Sequence, residues 1–280
     1  MHYLLTGASS GIGRAFLELL LKQAAATPAS SAAAYTAAST PAEAPAAAPA
    51  EDPAVAPSAG VAPPNLSLTV LSRSASKLHE VQTLCAPYPC RGLCLDLTQP
   101  ELIEPQLTEL LATAPPVDRV VYCAGMTRIE AVTKLRYAQN LAMMNLSYLS
   151  LVELLRVLIA HKSVEHQTKV VVVSALAATT GAEHTVSYST AKQALETFVR
   201  HGAPELLAEN VWINALAPSY VDTPMLKFNR LIDRNFATNV RKIQPLGLLS
   251  PQAVAHELAA LLESTCCTGT IRYVNGGMRY

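Results

Sequence analysis

His2-Tyr3-Leu4-Leu5-Thr6-Gly7-Ala8-Ser9-Ser10-Gly11-Ile12-Gly13 follows the first methionine, and its reading decides the fold. Residues 2–5 read as a buried strand, and residues 12–23 carry apolar side chains at helical spacing. Three glycines fill the turn between them. Glycine lets the chain reverse tightly and lets a ligand approach the backbone, while the first turn of a helix presents unpaired N–H groups to an anion. A strand, a glycine turn and a helix start in this order predict a pyrophosphate cradle made by Thr6, Gly7, Ser9, Ser10, Gly11, Ile12 and Gly13.

The same alternation continues down the chain. Further strands are expected over residues 66–71, 92–95, 119–123, 169–173, 211–216 and 270–274, several as near-continuous Val/Leu/Ile runs. Amphipathic helical stretches lie between them, over residues 75–84, 100–114, 138–160, 187–207 and 251–262. Strand–helix alternation of this kind predicts an α/β doubly wound parallel sheet, the Rossmann fold. We expect a single domain spanning residues 1–280, with about seven strands and helices on both faces.

One stretch does not fit that pattern. Residues 24–64 hold 19 alanines, 8 prolines, one aromatic residue (Tyr35) and no Lys or Arg. Proline every few residues breaks the helix that alanine would favour, and the segment offers little apolar surface to offset ordering. It is expected to be a disordered, solvated insertion with local polyproline character. Without it the chain keeps 239 residues, 21 basic and 18 acidic side chains, so the formal net charge of zero is the sum of a slightly basic domain and an acidic insertion.

Charge and composition exclude several classes of function. No basic stripe marks a nucleic-acid surface, and no run of about 20 apolar residues marks a membrane span. The glycine motif begins so early that no secretion signal is expected before it, so a cytoplasmic location is expected. Cys85, Cys90, Cys94, Cys123, Cys266 and Cys267 follow no zinc-ligand spacing, so reduced thiols and no metal site are expected.

Four motifs, in order, carry a family resemblance. Thr6–Gly13 resembles the T-G-x-x-x-G-x-G turn of the short-chain dehydrogenase/reductase family, and Tyr188-Ser-Thr-Ala-Lys192 resembles its Y-x-x-x-K. Pro218-Ser-Tyr-Val-Asp-Thr223-Pro resembles its P-G-x-V-x-T-P segment, and Thr268-Gly269 with Asn275-Gly276-Gly277 resembles its C-terminal T-G…D-G-G. The match covers the chain apart from residues 24–64. It implies a nicotinamide cofactor contacted by the glycine turn, Asp96, Leu97, Ala124, Gly125, Tyr188, Lys192, Pro218, Val221 and Thr223. The family's N-N-A-G stands here as Tyr122-Cys123-Ala124-Gly125, so the contacts of its missing asparagine are not carried over. Where NAD-preferring members place an acidic residue near the end of the second strand, this chain has Ser72-Arg73. The guanidinium suits a 2′-phosphate, so NADP(H) is expected ahead of NAD(H).

The expected reaction is hydride transfer between the nicotinamide and a small carbonyl/alcohol substrate. Reduction needs an acid for the developing alkoxide and a positive charge that brings a phenol, with its ordinary pKa of about 10, closer to working pH. Tyr188 and Lys192 stand at i and i+4 on one helix, which places both side chains on one face. By resemblance Asn145 supports a proton relay behind the lysine. The family's substrate-positioning serine usually stands 13 residues before the tyrosine, where this chain has Ala175. Ser174 is one position earlier, and a one-residue shift on a strand reverses the face. Either a local bulge lets Ser174 serve, or the usual hydroxyl is missing. The alternative to an enzyme is therefore a dinucleotide-binding regulatory or scaffold protein with weak or lost catalysis. Residues 222–245 are expected either to form a lid over the substrate or to pack as a short helix pair. The resemblance and the apolar surplus at Leu151, Val152, Leu154, Leu155 and Leu158 imply a homodimer or homotetramer.

Overall fold

The computed structural model describes residues 1–26 and 66–279. Strand β1 (His2–Thr6) leads into α1 (Gly11–Ala26), which carries the chain three residues into the expected insertion; the rest of the insertion lies outside the described residues. Then come β2 (Ser67–Ser72), α2 (Ala75–Cys85), β3 (Cys90–Cys94), α3 (Ile103–Leu111), β4 (Val117–Tyr122), α4 (Tyr137–Met144), α5 (Ser150–Ala160) and β5 (Val164–Val173). The second half comprises α6 (Ala177–Thr180), α7 (Val186–Ala208), β6 (Val211–Pro218), α8 (Lys227–Ile232), α9 (Phe236–Ile243), α10 (Pro251–Leu262) and β7 (Ile271–Val274).

All seven strands pair in parallel, in the order β3-β2-β1-β4-β5-β6-β7. The period of two along each strand divides the core. Leu4, Val120, Val170 and Val172 face the layer of α3, α5 and α7, whereas Leu5, Val121 and Val171 face the layer of α1, α2 and α10. Both faces are covered, which is why these strands read as continuous apolar runs. The chain leaves β1 toward β2 on one side and returns to β4 on the other. The carboxyl ends of β1 and β4 therefore flank the switch point at which doubly wound sheets bind ligands.

One expectation needs correction. The helical stretch expected over residues 138–160 is not continuous. It runs as α4, then a single π-helical turn at Asn145–Leu149, then α5. The extra residue per turn rotates α5 so that Leu151, Leu154, Leu155 and Leu158 press on the sheet while Asn145 reaches the loop after β3. Taken together, residues Tyr137–Ala160 are long and apolar enough to cross a bilayer by length and composition, but that apolar face is core here. Residues 222–245, expected as a lid or a short helix pair, fold in larger part as the helix pair α8 and α9.

Candidate active site

The first turn of α1 sits at the mouth of a cavity of about 750 Å³ at the carboxyl edge of the sheet. Gly7 holds a left-handed backbone (φ +69°), and a Cβ placed there would lie 2.7 Å from the Cys123 carbonyl group. A Cβ on Gly13 would strike the Gly7 carbonyl oxygen. The turn is thus closed against the end of β4 with no room for side chains. Arg14 N donates to Ser10 O as the first helical bond, so the N–H groups of Gly11, Ile12 and Gly13 face the cavity without helical partners. A cradle of bare backbone at the positive end of a 16-residue helix fits the pyrophosphate of a dinucleotide.

The cavity wall includes Gly7, Ser9, Ser10, Gly11, Ile12, Gly13, Arg73, Asp96, Leu97, Ala124, Gly125, Ser174, Tyr188, Lys192, Pro218, Val221 and Thr223. Two of the expected residues lie behind it. Thr6 is buried and its Oγ1 accepts from Ala124 N (3.0 Å), so it locks the β4 end beside the glycine turn. Asn145 Nδ2 donates to Thr98 O (2.8 Å) from the π-helical turn, and Ser150 Oγ donates to Leu97 O (2.5 Å). These two bonds tie the loop after β3, which lines the cavity, to the helices behind it.

At the far end of β2, Arg73 is exposed; its backbone carbonyl accepts from Cys94 Sγ (3.5 Å), while its guanidinium makes no hydrogen bond or ion pair among the described residues. Lys77, one turn into α2, also lines the wall but is held by Glu80 (2.9 Å). Asp96 Oδ1 accepts from Thr98 N and Oγ1, both at 2.9 Å, which fixes the turn into the following helix.

The chemical end is built on α7. Lys192 is buried and its Nζ donates to Val173 O (2.7 Å), which leaves it 6.0 Å from the centre of the Tyr188 ring. Burial lowers the Lys192 ammonium to about 8, while Cys123 and Glu196 act in the opposite direction. Burial also pushes the Tyr188 phenol up to about 12. Both shifts have one cause, the loss of water around the charged form, and a charged Lys192 is the group positioned to offset the second. Among the described residues none hydrogen-bonds the phenol, so its proton is available to a molecule in the cavity.

The serine alternatives are decided by parity. The β5–β6 register runs unbroken from Thr168 to Val173, and Ser174 N donates to Leu216 O at 2.8 Å. Without a bulge, Ser174 keeps the parity of Val170 and Val172 and points toward the α7 layer, where its Oγ donates to Glu196 Oε1 (2.8 Å). Ser174 and Ala175 both border the cavity, but the Ser174 hydroxyl is turned to Glu196 and Ala175 offers none. Of the two readings left open for Ser174, the bulge is absent, and its hydroxyl is committed to Glu196.

Sequence reasoning missed several features. Tyr122, in the place of the family's first asparagine, is fully buried and donates to Leu146 O (2.7 Å) across the π-helical turn. Cys123 lines the cavity beside Lys192, its thiol pushed well up by burial despite that lysine. Met278 and Arg279 also line the wall, beside Met225, Leu226 and Ile243 of the stretch over which a lid was one expectation. Glu196 was legible in principle, since it stands four residues after Lys192.

Comparison with known proteins gives the same frame. A family model described as "Enoyl-(Acyl carrier protein) reductase" matches residues 61–279. The chain is 26% identical over 190 residues to 3-oxoacyl-[acyl-carrier-protein] reductase FabG of Vibrio cholerae, covering 67% of this chain and 77% of that one. It is 33% identical over 166 residues to the uncharacterized oxidoreductase YmfI of Bacillus subtilis, covering 58% and 67%. Among solved structures, the Pseudomonas aeruginosa RhlG/NADP active-site complex superposes with a TM-score of 0.76 at 18% identity, covering 99% and 95% of the two chains. The 3-ketoacyl-(acyl-carrier-protein) reductase of Brucella melitensis, solved with NADH, gives 0.72 at 18%, covering 99% and 97%.

Proposed function

The chain belongs to the short-chain dehydrogenase/reductase family of oxidoreductases, and on that premise we propose that it is an NADP(H)-dependent reductase of a ketone, or the reverse dehydrogenase of the alcohol. The observation that carries the reading is one cavity with a bare-backbone anion cradle at one end and the Tyr188–Lys192 pair at the other. When bound, the nicotinamide supplies or accepts the hydride. Tyr188 gives its proton to the carbonyl oxygen as negative charge develops there. Lys192, anchored on Val173 O, places positive charge beside the phenol and donates toward the nicotinamide ribose. Asn145 orders the loop beside the relay through Thr98. Thr223, whose side chain would lie 3.2 Å from a Cβ on Gly11, holds the carboxamide end. Arg73 takes the 2′-phosphate, its guanidinium being uncommitted.

Relatives named as 3-oxoacyl reductases make a 3-oxoacyl thioester the first substrate to try, within a panel of ketones. NADPH consumption is followed at constant substrate. Tyr188→Phe is expected to lose about 10²–10⁴-fold in kcat; a Phe variant as active as the parent overturns the mechanism. A second reading, a dinucleotide-binding protein of weak catalysis, draws on Ala175 facing the cavity while the Ser174 hydroxyl is spent on Glu196. Tight NADPH binding with no turnover in the parent, and turnover after Ala175→Ser, favours it.

We also propose a cytoplasmic homodimer or homotetramer formed through α4–α5 and α7. Exposed Tyr137, Leu141 and Leu149 and a groove lined by Tyr148, Phe198 and His201 mark that surface. A monomeric mass by light scattering overturns this.

A further inference from the structure

Behind the cavity lies a carboxylate that the proposed reaction does not use. Glu196 is 0% exposed, on α7, one helical turn beyond Lys192 and two beyond Tyr188. An apolar side chain would pack there with no polar demands, whereas a buried carboxylate is costly unless every oxygen is met. Glu196 is met on both. Ser174 Oγ donates to Oε1 at 2.8 Å, while Tyr273 Oη (3.1 Å) and Arg200 Nη2 (3.3 Å) donate to Oε2. Arg200 Nη2 also donates to Tyr273 Oη at 3.2 Å, so β7 is drawn into the same cluster. Ser174 adjoins Val173, and the Val173 carbonyl is the acceptor of Lys192 Nζ. Two residues one turn apart on α7 thus grip two consecutive residues at the end of β5.

We infer that Glu196 is a positioning residue for the lysine: it clamps Ser174 so that the Val173 carbonyl meets Lys192 Nζ, and its charge keeps that buried ammonium protonated. The inference takes its functional meaning from the proposed Tyr188–Lys192 chemistry, but its geometry stands independently of turnover. It also accounts for Ala175. With the Ser174 hydroxyl committed to Glu196, the alternation of the strand turns the side chain of residue 175 to the opposite side.

Among the described residues, the titratable groups near Lys192 come from three elements. Cys123 approaches from the end of β4, Tyr188 and Glu196 lie on its own helix, and Arg200 and the β7 residue Tyr273 lie beyond Glu196. Of these, Cys123 and Glu196 favour the ammonium, and burial opposes it. The Cys123 thiol is itself pushed well up by burial, which keeps it uncharged in the working range, so Glu196 supplies the favourable charge.

The test reads the lysine directly. The full chain is labelled briefly with acetic anhydride across a pH series, and the fraction of acetylated Lys192 is measured on its peptide by mass spectrometry. In the parent the midpoint is expected near 8. Glu196→Gln removes the charge and keeps the shape, and the midpoint is expected to fall by about one pH unit, while Glu196→Asp restores most of it. Should the glutamine variant not fold, Glu196→Met gives a charge-free side chain of similar length that needs no donors, with the same expected fall. An unchanged midpoint in a folded, charge-free variant overturns the inference, and so does an equal fall in Glu196→Asp. NADPH turnover is measured in parallel. A shifted midpoint in a protein that reduces no carbonyl upholds the placement of Glu196 and rejects the proposed reaction. In an active parent, the high-pH limb of kcat/KM for reduction moves down with the midpoint.

Discussion

Replacing Gly7 by alanine tests the cradle at the point where backbone and site are the same object. Two costs fall on the new methyl. The first is conformational, since φ at Gly7 is +69°, where an L residue costs about 1–2 kcal/mol. The second is steric. Its Cβ would lie 2.7 Å from both Cys123 C and O and 2.8 Å from Ala124 N, all backbone atoms that cannot rotate away. Restoring ordinary contact means moving the turn off β4 by roughly 0.7 Å, at about 1–3 kcal/mol for overpacking. The same movement stretches the 3.0 Å bond from Ala124 N to Thr6 Oγ1, worth about 1 kcal/mol. The total is about 3–6 kcal/mol, which for a domain of this size lowers Tm by about 6–24 °C. Gly181, the cap of α6, supplies the control, because its φ is +63° but an added Cβ meets nothing within 4 Å. Gly181→Ala is expected to cost only the conformational part, about 1–2 kcal/mol. Both variants are compared by scanning calorimetry, with NADPH affinity from fluorescence titration. If Gly7→Ala falls no further than Gly181→Ala and binds NADPH like the parent, the closed cradle is refuted.

Three further outcomes are expected. Ala175→Ser places a hydroxyl on the cavity wall where Ser174 cannot deliver one, and kcat with the best ketone is expected to rise by up to about 10²–10³-fold; no gain shows that the reaction has its oxyanion donor elsewhere. Arg73→Ala removes a free guanidinium at the end of β2 and is expected to weaken NADPH by about 10–100-fold with little change for NADH, as read by paired titrations. His2 is held below its usual 6.5 chiefly by burial, with its ring between Pro115 O (2.8 Å) and Thr69 Oγ1 (2.9 Å). A histidine depressed in the native state binds its proton more readily when unfolded, so stability falls as the pH drops below 6.5. Urea midpoints at pH 7 and pH 5 are expected to differ less in His2→Gln than in the parent.

Much of the site was legible because its logic is local. The glycine turn, the helix start behind it and the Tyr188–Lys192 spacing each depend on neighbours within about one helical turn, and backbone geometry converts that spacing directly into direction. The π-helical turn at Asn145 escaped notice because helical periodicity continues on both sides of it, and only its packing against β4 and the β3 loop shows where the extra residue is absorbed. Arg279 and Met278 could not be assigned to the wall from sequence, since they reach it from the far end of the chain.

The sequence by itself therefore determined the parallel sheet, and it pointed to the proposed anion cradle and the proposed Tyr188–Lys192 pair. Whether the Ser174 hydroxyl is turned to the cavity or spent elsewhere was a matter for the tertiary structure alone. A single-residue choice of face turns on strand register, and the register at the end of β5 is held by Leu216 of the neighbouring strand and by Glu196, 22 residues along the chain on a helix packed behind the sheet.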